Sequence, residues 1–245
     1  MGQIDVRVPL VETAGRYWRD LSRQLLNLFF PPRCMGCGRV GVHLCADCSD
    51  LVPRVLSPFC VRCGDAVETG RFCKRCRVSP LRIESVRSVA CFEGFIQEAI
   101  HHLKYDGHFA LAEPLGGLMA NYWAACGHPV DVVVPVPLHA QRLRERGYNQ
   151  AALLAREMVH HAGLPVDERT LVRNRATASQ IDLDAVQRKE NVRDAFVCVD
   201  DRLAGKRVLL IDDVCTTGST LEACAVALYE GGAQHVRALT LARAY

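Results

Sequence analysis

Apolar residues after position 84 follow two alternating patterns. Three stretches carry apolar side chains at i, i+3, i+4 and i+7, which predicts helices with one buried face: residues 96–103, 151–158 and 221–228. Between and after them lie short aliphatic or β-branched runs, typical of strands buried on both faces: residues 132–136, 195–199, 208–214 and 236–241. This alternation predicts an α/β domain whose mostly parallel sheet is covered by helices on both faces.

The first third of the chain has a different pattern. Residues 9–30 carry leucines at helical spacing, and Pro31 and Pro32 stop any helix there, so we expect a short docking helix. From 34 to 76 the sequence is loop-like, with no periodic apolar face long enough to form a core. We therefore predict two domains, residues 1–83 with the helix and a metal-stabilised module, and residues 84–245 with the α/β domain.

Composition limits the setting in which the chain works. No apolar run approaches the roughly 18 residues that a membrane span needs, and the N-terminus lacks a signal-peptide pattern, so we expect a cytoplasmic protein without membrane insertion. The 245 residues include 30 Lys plus Arg against 27 Asp plus Glu. A net charge of +3 is too small for a dedicated nucleic-acid packager, so charge must be judged locally.

Cysteine spacing provides the strongest signal in residues 1–83. Eight of the thirteen cysteines form four Cys-x-x-Cys pairs: Cys34/Cys37, Cys45/Cys48, Cys60/Cys63 and Cys73/Cys76. In a reducing compartment this pattern indicates metal binding rather than disulfides, and eight thiolates supply two closed, structural four-cysteine zinc sites. Gly38 and Gly64 follow the second cysteine of two pairs, where a left-handed backbone allows a sharp turn. The spacing permits two arrangements: each zinc site takes two Cys-x-x-Cys pairs that follow one another, or the sites are cross-braced and each takes alternate pairs.

Residues 208–221 carry the most informative chemistry of the second domain. A buried strand runs into Asp212 and Asp213, and a small hydroxyl-rich loop then opens a helix: Thr216, Thr217, Gly218, Ser219 and Thr220. Backbone N–H groups and hydroxyls at a helix N-terminus bind phosphate, while paired carboxylates at a strand end accept hydrogen bonds from vicinal ribose hydroxyls. The segment predicts a sugar-phosphate site, and it lacks the Gly-Lys-Ser/Thr of a P-loop and a Gly-x-Gly-x-x-Gly fingerprint.

The residues above resemble a known family. Residues 208–220 resemble the phosphoribosyl pyrophosphate (PRPP) motif of type I phosphoribosyltransferases, and their combination with four Cys-x-x-Cys pairs resembles the ComF/GntX-like family of competence and DNA-utilisation proteins. Further segments look like family signatures: residues 30–34, 103–105, 135–142 and 146–150, with Arg188 and Asn191. The resemblance covers nearly the whole chain and implies a type I phosphoribosyltransferase-like fold with a small zinc-ribbon-like module before it.

The resemblance also implies roles for individual residues. Residues 137–146 follow a strand end where such enzymes cradle pyrophosphate, which assigns PRPP contacts to Pro137, Arg142, Arg146 and Lys104 in addition to the loop. Residues 173–180 resemble the mobile loop that closes over PRPP. Asp212, Asp213 and Arg175 are the implied catalytic residues, and PRPP is expected with Mg²⁺.

The family resemblance leads to two hypotheses about function. In the first, the protein transfers phosphoribosyl from PRPP to an acceptor, in connection with uptake or utilisation of DNA. An amine or a nucleobase nitrogen is the expected attacking group, but the sequence has no recognisable base-binding hood, so it leaves open an unusual acceptor or none. In the second, it is a non-catalytic, PRPP-sensing adaptor that handles single-stranded DNA with a helicase or other DNA-uptake proteins, and the zinc module is the docking surface.

Overall fold

A computed structural model describes residues 31–175 and 194–245. The predicted helix in residues 9–30, residues 176–180 of the predicted mobile loop, and Arg188 and Asn191 lie outside the described residues. The chain divides into two compact units, residues 1–48 and 49–245. The second four-cysteine group therefore belongs to the same unit as the sheet, while the predicted boundary after residue 83 stays a prediction. No described helix is long and apolar enough to cross a membrane.

The central sheet has four strands, all parallel, in the order β1-β6-β5-β2. Their bounds are Ser85–Cys91 (β1), Val132–Pro135 (β2), Arg207–Cys215 (β5) and His235–Arg243 (β6). Val132–Pro135 pairs with residues 208–211, so β2 and β5 end at the same edge of the sheet. The predicted runs at 132–136, 208–214 and 236–241 are confirmed as strands of this sheet.

Helices cover both faces of the sheet, as predicted. The described helices are α1 (Ala46–Asp50), α2 (Lys74–Val78), α3 (Gly94–Tyr105), α4 (Ala112–Cys126), α5 (Ala140–Arg146), α6 (Gln150–Ala162) and α7 (Ser219–Glu230). Helices α4 and α6 pack on each other, and α6 contacts β2 and β5, whereas α7 packs against β6 together with the β3–β4 hairpin described next. The helices predicted from residues 96–103, 151–158 and 221–228 correspond to α3, α6 and α7.

The sequence predicted a buried strand of the central sheet at residues 195–199, and this prediction is wrong. Phe196–Cys198 (β4) pairs antiparallel with Leu171–Arg173 (β3) in a separate two-stranded sheet. Phe196 is buried, but Val197 and Val199 are 40% and 60% exposed, so only one face of this hairpin is covered. An apolar run of this length does not distinguish a half-exposed hairpin strand from a fully buried one.

Helix α4 and strand β1 were not identified from the sequence. Helix α4 is apolar over much of its circumference and contains Gly116 and Gly117, which obscure its period. Helix packing explains the glycine at position 116, because a Cβ there would lie 2.5 Å from the Cβ of Glu157 and 3.0 Å from the backbone nitrogen of Met158. The glycine thus lets α4 approach α6 closely, a requirement that depends on the partner helix and leaves no periodic signal.

The second cysteine-rich segment is hydrogen-bonded to the sheet. The backbone nitrogen of Val86 in β1 donates to the carbonyl of Arg62 at 2.6 Å, and the Arg87 guanidinium donates to the carbonyl of Val61 at 2.9 Å. Arg243 of β6, only 2% exposed, donates through Nη2 to the carbonyl of Cys63. These contacts place the second four-cysteine group against strands β1 and β6.

Candidate functional site

A cleft of about 810 Å³ lies at the carboxyl ends of the adjacent strands β2 and β5. It is lined by most of the residues that the sequence singled out, drawn from four separate stretches of the chain: Lys104, Pro137, Arg142, Arg146, Arg173, Asp212, Asp213 and Thr220. Open parallel sheets bind ligands at this edge because strand ends and following loops converge there. The structure thus assembles one charged site from residues far apart in the sequence.

The two acids lie at the end of β5 and differ in their surroundings. Asp213 is 4% exposed, its Oδ1 accepts from the backbone nitrogen of Val214 at 2.7 Å, and its Oδ2 lies 2.8 Å from Nζ of Lys104. Asp212 is half-buried, and burial together with the charge of Asp213 raises its pKa to about 8. Burial acts to lower the pKa of Lys104, but the Asp213 carboxylate outweighs it and holds that pKa above its usual value.

The loop after β5 has the geometry of an anion site. Gly218 adopts a left-handed backbone (φ 78°) and caps α7, a 12-residue helix that begins at Ser219. The hydroxyls of Thr217 and Ser219 lie 2.8 Å apart, and Thr220 lines the cleft. The first backbone N–H groups of α7 have no partner within the helix, and they point to the side from which the chain enters it. The loop offers N–H and hydroxyl donors to a phosphate.

Three arginines bring positive charge to the cleft. Arg146 donates to Oε1 of Gln150 and its guanidinium carbon lies 5.3 Å from the ring centroid of Tyr105. Arg173 lies at the same distance over Phe196, and burial with the neighbouring charge of Arg142 lowers its pKa. Such crowding of cations favours an anionic ligand. Arg175, by contrast, is exposed and is not among the described residues that line the cleft.

Aromatic residues of the cleft were missed by the sequence analysis. Tyr105, Phe109 and Tyr148 line it, and the first two are 56% and 52% exposed. Tyr105 follows Lys104 directly and Tyr148 follows the Arg146-Gly147 turn, so two of them stood inside segments already noted as family signatures. An isolated aromatic residue has no period, and its place in a cleft becomes visible only in three dimensions.

The eight paired cysteines form two groups, each built from two sequential pairs. Cys34, Cys37, Cys45 and Cys48 form the first, and Cys60, Cys63, Cys73 and Cys76 the second, with all ligand sulfurs of a group within 4.8 Å of one another. The structure thereby excludes cross-braced pairing for these eight residues.

The sulfur positions fit a tetrahedral zinc ion. Zn–S bonds of about 2.3 Å imply S···S distances of about 3.8 Å in a tetrahedron. The observed distances are 3.7 Å for Cys34–Cys45, 3.8 Å for Cys37–Cys45 and 3.6 Å for Cys63–Cys73. Both four-cysteine groups therefore have the ligand set and dimensions of closed structural zinc sites.

Backbone hydrogen bonds prepare one thiol of each group for metal binding. Burial acts to raise the pKa of Cys34, but N–H groups of Cys45, Cys37 and Gly36 outweigh it and lower that pKa to about 6. Cys60, in the equivalent position, is also lowered to about 6, by N–H groups that overcome burial. Because the thiolate is the form that binds zinc, these donors favour the ligating state.

Comparisons with known proteins agree with this architecture. A double zinc ribbon domain model matches residues 25–77, and a phosphoribosyl transferase domain model matches residues 146–244. The DNA utilization protein YhgH of Salmonella typhimurium is 33% identical over 207 residues, covering 82% of this chain and 90% of that protein. The chain belongs to the ComF/GntX-like family. The resemblance found in the sequence, and the type I phosphoribosyltransferase-like fold with its double zinc ribbon, are thus confirmed.

Another family member and a solved structure show how far the similarity extends. Competence protein F of Haemophilus influenzae is 29% identical over 227 residues, covering 88% of this chain and 99% of that protein. Among solved structures, the glutamine PRPP amidotransferase of B. subtilis, complexed with ADP and GMP, is 25% identical over 53% of this chain. That match spans a quarter of the amidotransferase chain (25%), with a TM-score of 0.37.

Proposed function

We propose that this ComF/GntX-like protein binds PRPP together with Mg²⁺ and transfers its phosphoribosyl group to an acceptor. The observation that carries the proposal is the convergence of several groups on one cleft: two acids, a lysine, three arginines and Thr220 of the loop at residues 216–220, which we call the phosphate-type loop. Each type of group matches one part of PRPP. Anion donors suit its phosphates, and carboxylates suit its ribose hydroxyls.

The parts of PRPP have distinct places in this arrangement. The 5′-phosphate binds at residues 216–220, where α7 begins, and the vicinal hydroxyls bind to Asp212 and Asp213. Pyrophosphate binds beside Pro137, towards Arg142 and Arg146. Lys104 already neutralises Asp213 in the ligand-free cleft, and it adds a cation near the sugar.

The protein's contribution to the reaction is electrostatic and positional. When the bond from the anomeric carbon to pyrophosphate breaks, the ribosyl group becomes electron-poor, and the adjacent carboxylates stabilise that positive charge. Arg142 and Arg146 stabilise the negative charge that develops on the leaving pyrophosphate. Bound Mg²⁺ would supply further neutralisation of the pyrophosphate oxygens. No covalent nucleophile from the protein is required.

Relatives suggest the process in which this reaction takes part. Curated relatives bear the names DNA utilization protein and Competence protein F. On that basis we place the chain in uptake or utilisation of DNA. In this role the zinc groups are structural, since four thiolates leave no open coordination position for chemistry.

A non-catalytic adaptor is the second candidate function. Its supporting observation is a set of exposed cations around the second four-cysteine group: Arg71, Lys74, Arg75, Arg77 and Arg82. Such a patch suits the backbone of single-stranded DNA, with a helicase or another DNA-uptake protein as partner. In that case PRPP would bind as a regulatory ligand, and the cleft would release no pyrophosphate.

Two measurements on the full, zinc-loaded chain test these functions. Calorimetry with PRPP and Mg²⁺ tests the site, and absence of binding would refute both candidates. Release of pyrophosphate from PRPP is then measured with a panel of acceptors: ammonium, aliphatic amines, nucleobases and single-stranded DNA. Acceptor-dependent release supports the transferase, whereas tight PRPP binding without release by any acceptor supports the adaptor.

A further inference from the structure

One side of the cleft is aromatic rather than charged. Tyr105 and Phe109 lie at and just after the end of α3, and Tyr148 lies between α5 and α6. The charged residues already described account for PRPP, but none of its parts is aromatic. More than half of the Tyr105 and Phe109 surfaces are nevertheless exposed, at 56% and 52%. We refer to Tyr105, Phe109 and Tyr148 as the aromatic wall.

The aromatic wall is held in place by specific contacts. The hydroxyl of Tyr148 donates to the carbonyl of Leu103 at 2.5 Å, which ties it to the last turn of α3. Phe109 packs edge-to-face on Tyr148, with ring centroids 4.6 Å apart and an angle of 85°. Tyr105 is flanked by the Arg146 guanidinium at 5.3 Å and by the His101 ring at 4.7 Å. A rigid, partly exposed aromatic surface loses little entropy when a flat ring stacks on it.

The aromatic wall adjoins the sugar end of the cleft. Tyr105 directly follows Lys104, whose Nζ contacts Asp213. Asp106 and Glu145 also line the cleft, so two carboxylate groups face the same cavity as the rings. A volume of about 810 Å³ is near the upper end of the usual range for small-molecule sites and holds a second group beside a sugar phosphate.

Two of the three rings come from a segment that neither family model covers. The zinc-ribbon match ends at residue 77 and the phosphoribosyl transferase match begins at residue 146. Tyr105 and Phe109 fall between them. The aromatic wall therefore combines two rings from the segment between the two matches with Tyr148 from the phosphoribosyl transferase match.

We infer that the aromatic wall binds the acceptor, and that the acceptor is a neutral, planar nitrogen heterocycle of the nucleobase type. This inference rests on the proposed function. A flat ring stacks on Phe109, and its N–H or amino groups donate to Asp106 or Glu145. Ammonia and aliphatic amines have no flat face to stack. A cationic acceptor is disfavoured as well, because Arg146 already occupies the cation position over Tyr105.

The implied transfer balances in atoms and electrons. The lone pair of a ring nitrogen forms the new bond to the anomeric carbon. The bond from that carbon to the pyrophosphate oxygen breaks, and its electron pair leaves with pyrophosphate. The proton of the ring N–H passes to an oxygen of the leaving pyrophosphate. The products are a nucleoside 5′-monophosphate-type compound and pyrophosphate.

Product-type ligands test the assignment without turnover. Calorimetry on the full, zinc-loaded chain compares ribose 5-phosphate with AMP, GMP, CMP and UMP, which differ from it by a base. We expect at least one nucleotide to bind about 10-fold more tightly than ribose 5-phosphate, because stacking of one base on an aromatic residue is of that order. Phe109→Ala should bring this affinity ratio close to one, and Phe109→Trp should preserve it. Tyr245→Ala removes an exposed aromatic ring outside the cleft lining and should leave the ratio unchanged.

The possible outcomes separate the two proposals. If ribose 5-phosphate binds and no nucleotide binds more tightly, the aromatic wall is not an acceptor site, although the PRPP site stands. If the gain persists in Phe109→Ala, the base binds elsewhere and the assignment is wrong. If neither ribose 5-phosphate nor PRPP with Mg²⁺ binds, the proposed function fails, and the acceptor site fails with it.

Discussion

Three ionisable side chains, Lys104, Asp212 and Asp213, lie together in a largely buried position at the end of β5. Asp213 is paired with Lys104, whereas Asp212 carries the cost of burial beside a second carboxylate, which is why its pKa is raised to about 8. Asp212 accepts a hydrogen bond from the backbone nitrogen of Asp213 at 2.9 Å, but it forms no ion pair of its own in the described residues. A buried acid with a strongly raised pKa is characteristic of a binding site, where the ligand supplies further partners.

Replacing both acids tests their role in sugar binding. Asp212→Asn with Asp213→Asn should weaken PRPP binding by far more than Arg175→Ala, since each lost charged hydrogen bond costs about 1.5–3 kcal/mol. Arg175 is exposed and lies within the predicted mobile loop of residues 173–180, so we expect its removal to affect turnover after closure more than binding. Calorimetry with PRPP and Mg²⁺ measures the PRPP affinity of both variants, and Asp201→Asn, at an exposed position, is the control. Parental affinity in the double variant would show that the acids are structural.

The raised pKa of Asp212 also predicts a pH-dependent stability difference. Its pKa of about 8 in the folded protein exceeds the ordinary carboxyl value of 3.8, so folding favours the protonated form. Its contribution to stability is therefore fully present below about pH 4 and is lost as the pH rises through about 8. In the ligand-free protein, Asp212→Asn should have a higher Tm than the parent. This difference should grow as the pH rises from 5 to about 8, the pKa of Asp212. A constant difference in thermal unfolding across this range would contradict the assignment.

At the scale of structural elements, two glycine turns of the zinc ribbon have the same backbone conformation but different surroundings. Gly38 and Gly64 occupy equivalent places after Cys-x-x-Cys and share a left-handed backbone, with φ of 75° and 74°. A Cβ at Gly38 would meet nothing within 4 Å, but one at Gly64 would lie 2.6 Å from the carbonyl oxygen of Val86 in β1. The first glycine serves the turn alone, and the second serves both the turn and the contact with the sheet.

This difference makes the two glycines a matched pair for mutation. Gly38→Ala should cost only the backbone strain, about 1–2 kcal/mol for an L-residue in this conformation. Gly64→Ala adds a clash with backbone that cannot move aside, so zinc release to a chelator should be faster and the Tm lower than for Gly38→Ala. Equal effects of the two substitutions would mean that the segment moves away from β1 without loss.

At the scale of the whole molecule, the two four-cysteine groups belong to different compact units. The second group is linked to the sheet by Arg243, a buried cation at the end of β6, in register with Cys215 just before the phosphate-type loop. Burial of a guanidinium is costly unless hydrogen bonds and opposite charge compensate it. A zinc ion with four thiolates carries two negative charges and would provide that compensation close to the carbonyl of Cys63.

Loss of one zinc group should therefore have different consequences from loss of the other. We expect about two zinc ions in the parent protein. Cys34→Ser should remove one zinc and unfold the first group while PRPP binding is retained. Cys60→Ser should also remove one zinc, and in addition should lower the Tm and the PRPP affinity. Elemental analysis, thermal unfolding and calorimetry measure these effects, and loss of PRPP binding in Cys34→Ser would contradict the independence of the first unit.

The sequence by itself determined the features whose chemistry is contiguous along the chain. The strand, acids, loop and helix of residues 208–221 follow one another directly. The Cys-x-x-Cys pairs are themselves the metal ligands. Both features were therefore recognised from the sequence alone. Three helices and three sheet strands were found in the same way, the helices from their regular apolar period and the strands from their continuous aliphatic runs.

Only the tertiary structure decided what depends on contacts between distant segments. It selected sequential cysteine pairing, placed β4 in a hairpin, and brought Lys104, Arg146 and Asp213 to one cleft. It also revealed the aromatic wall. The physical reason is that strand order and helix packing, rather than local propensity, determine which strand ends adjoin, and a single aromatic residue or glycine carries no period from which its partner can be inferred.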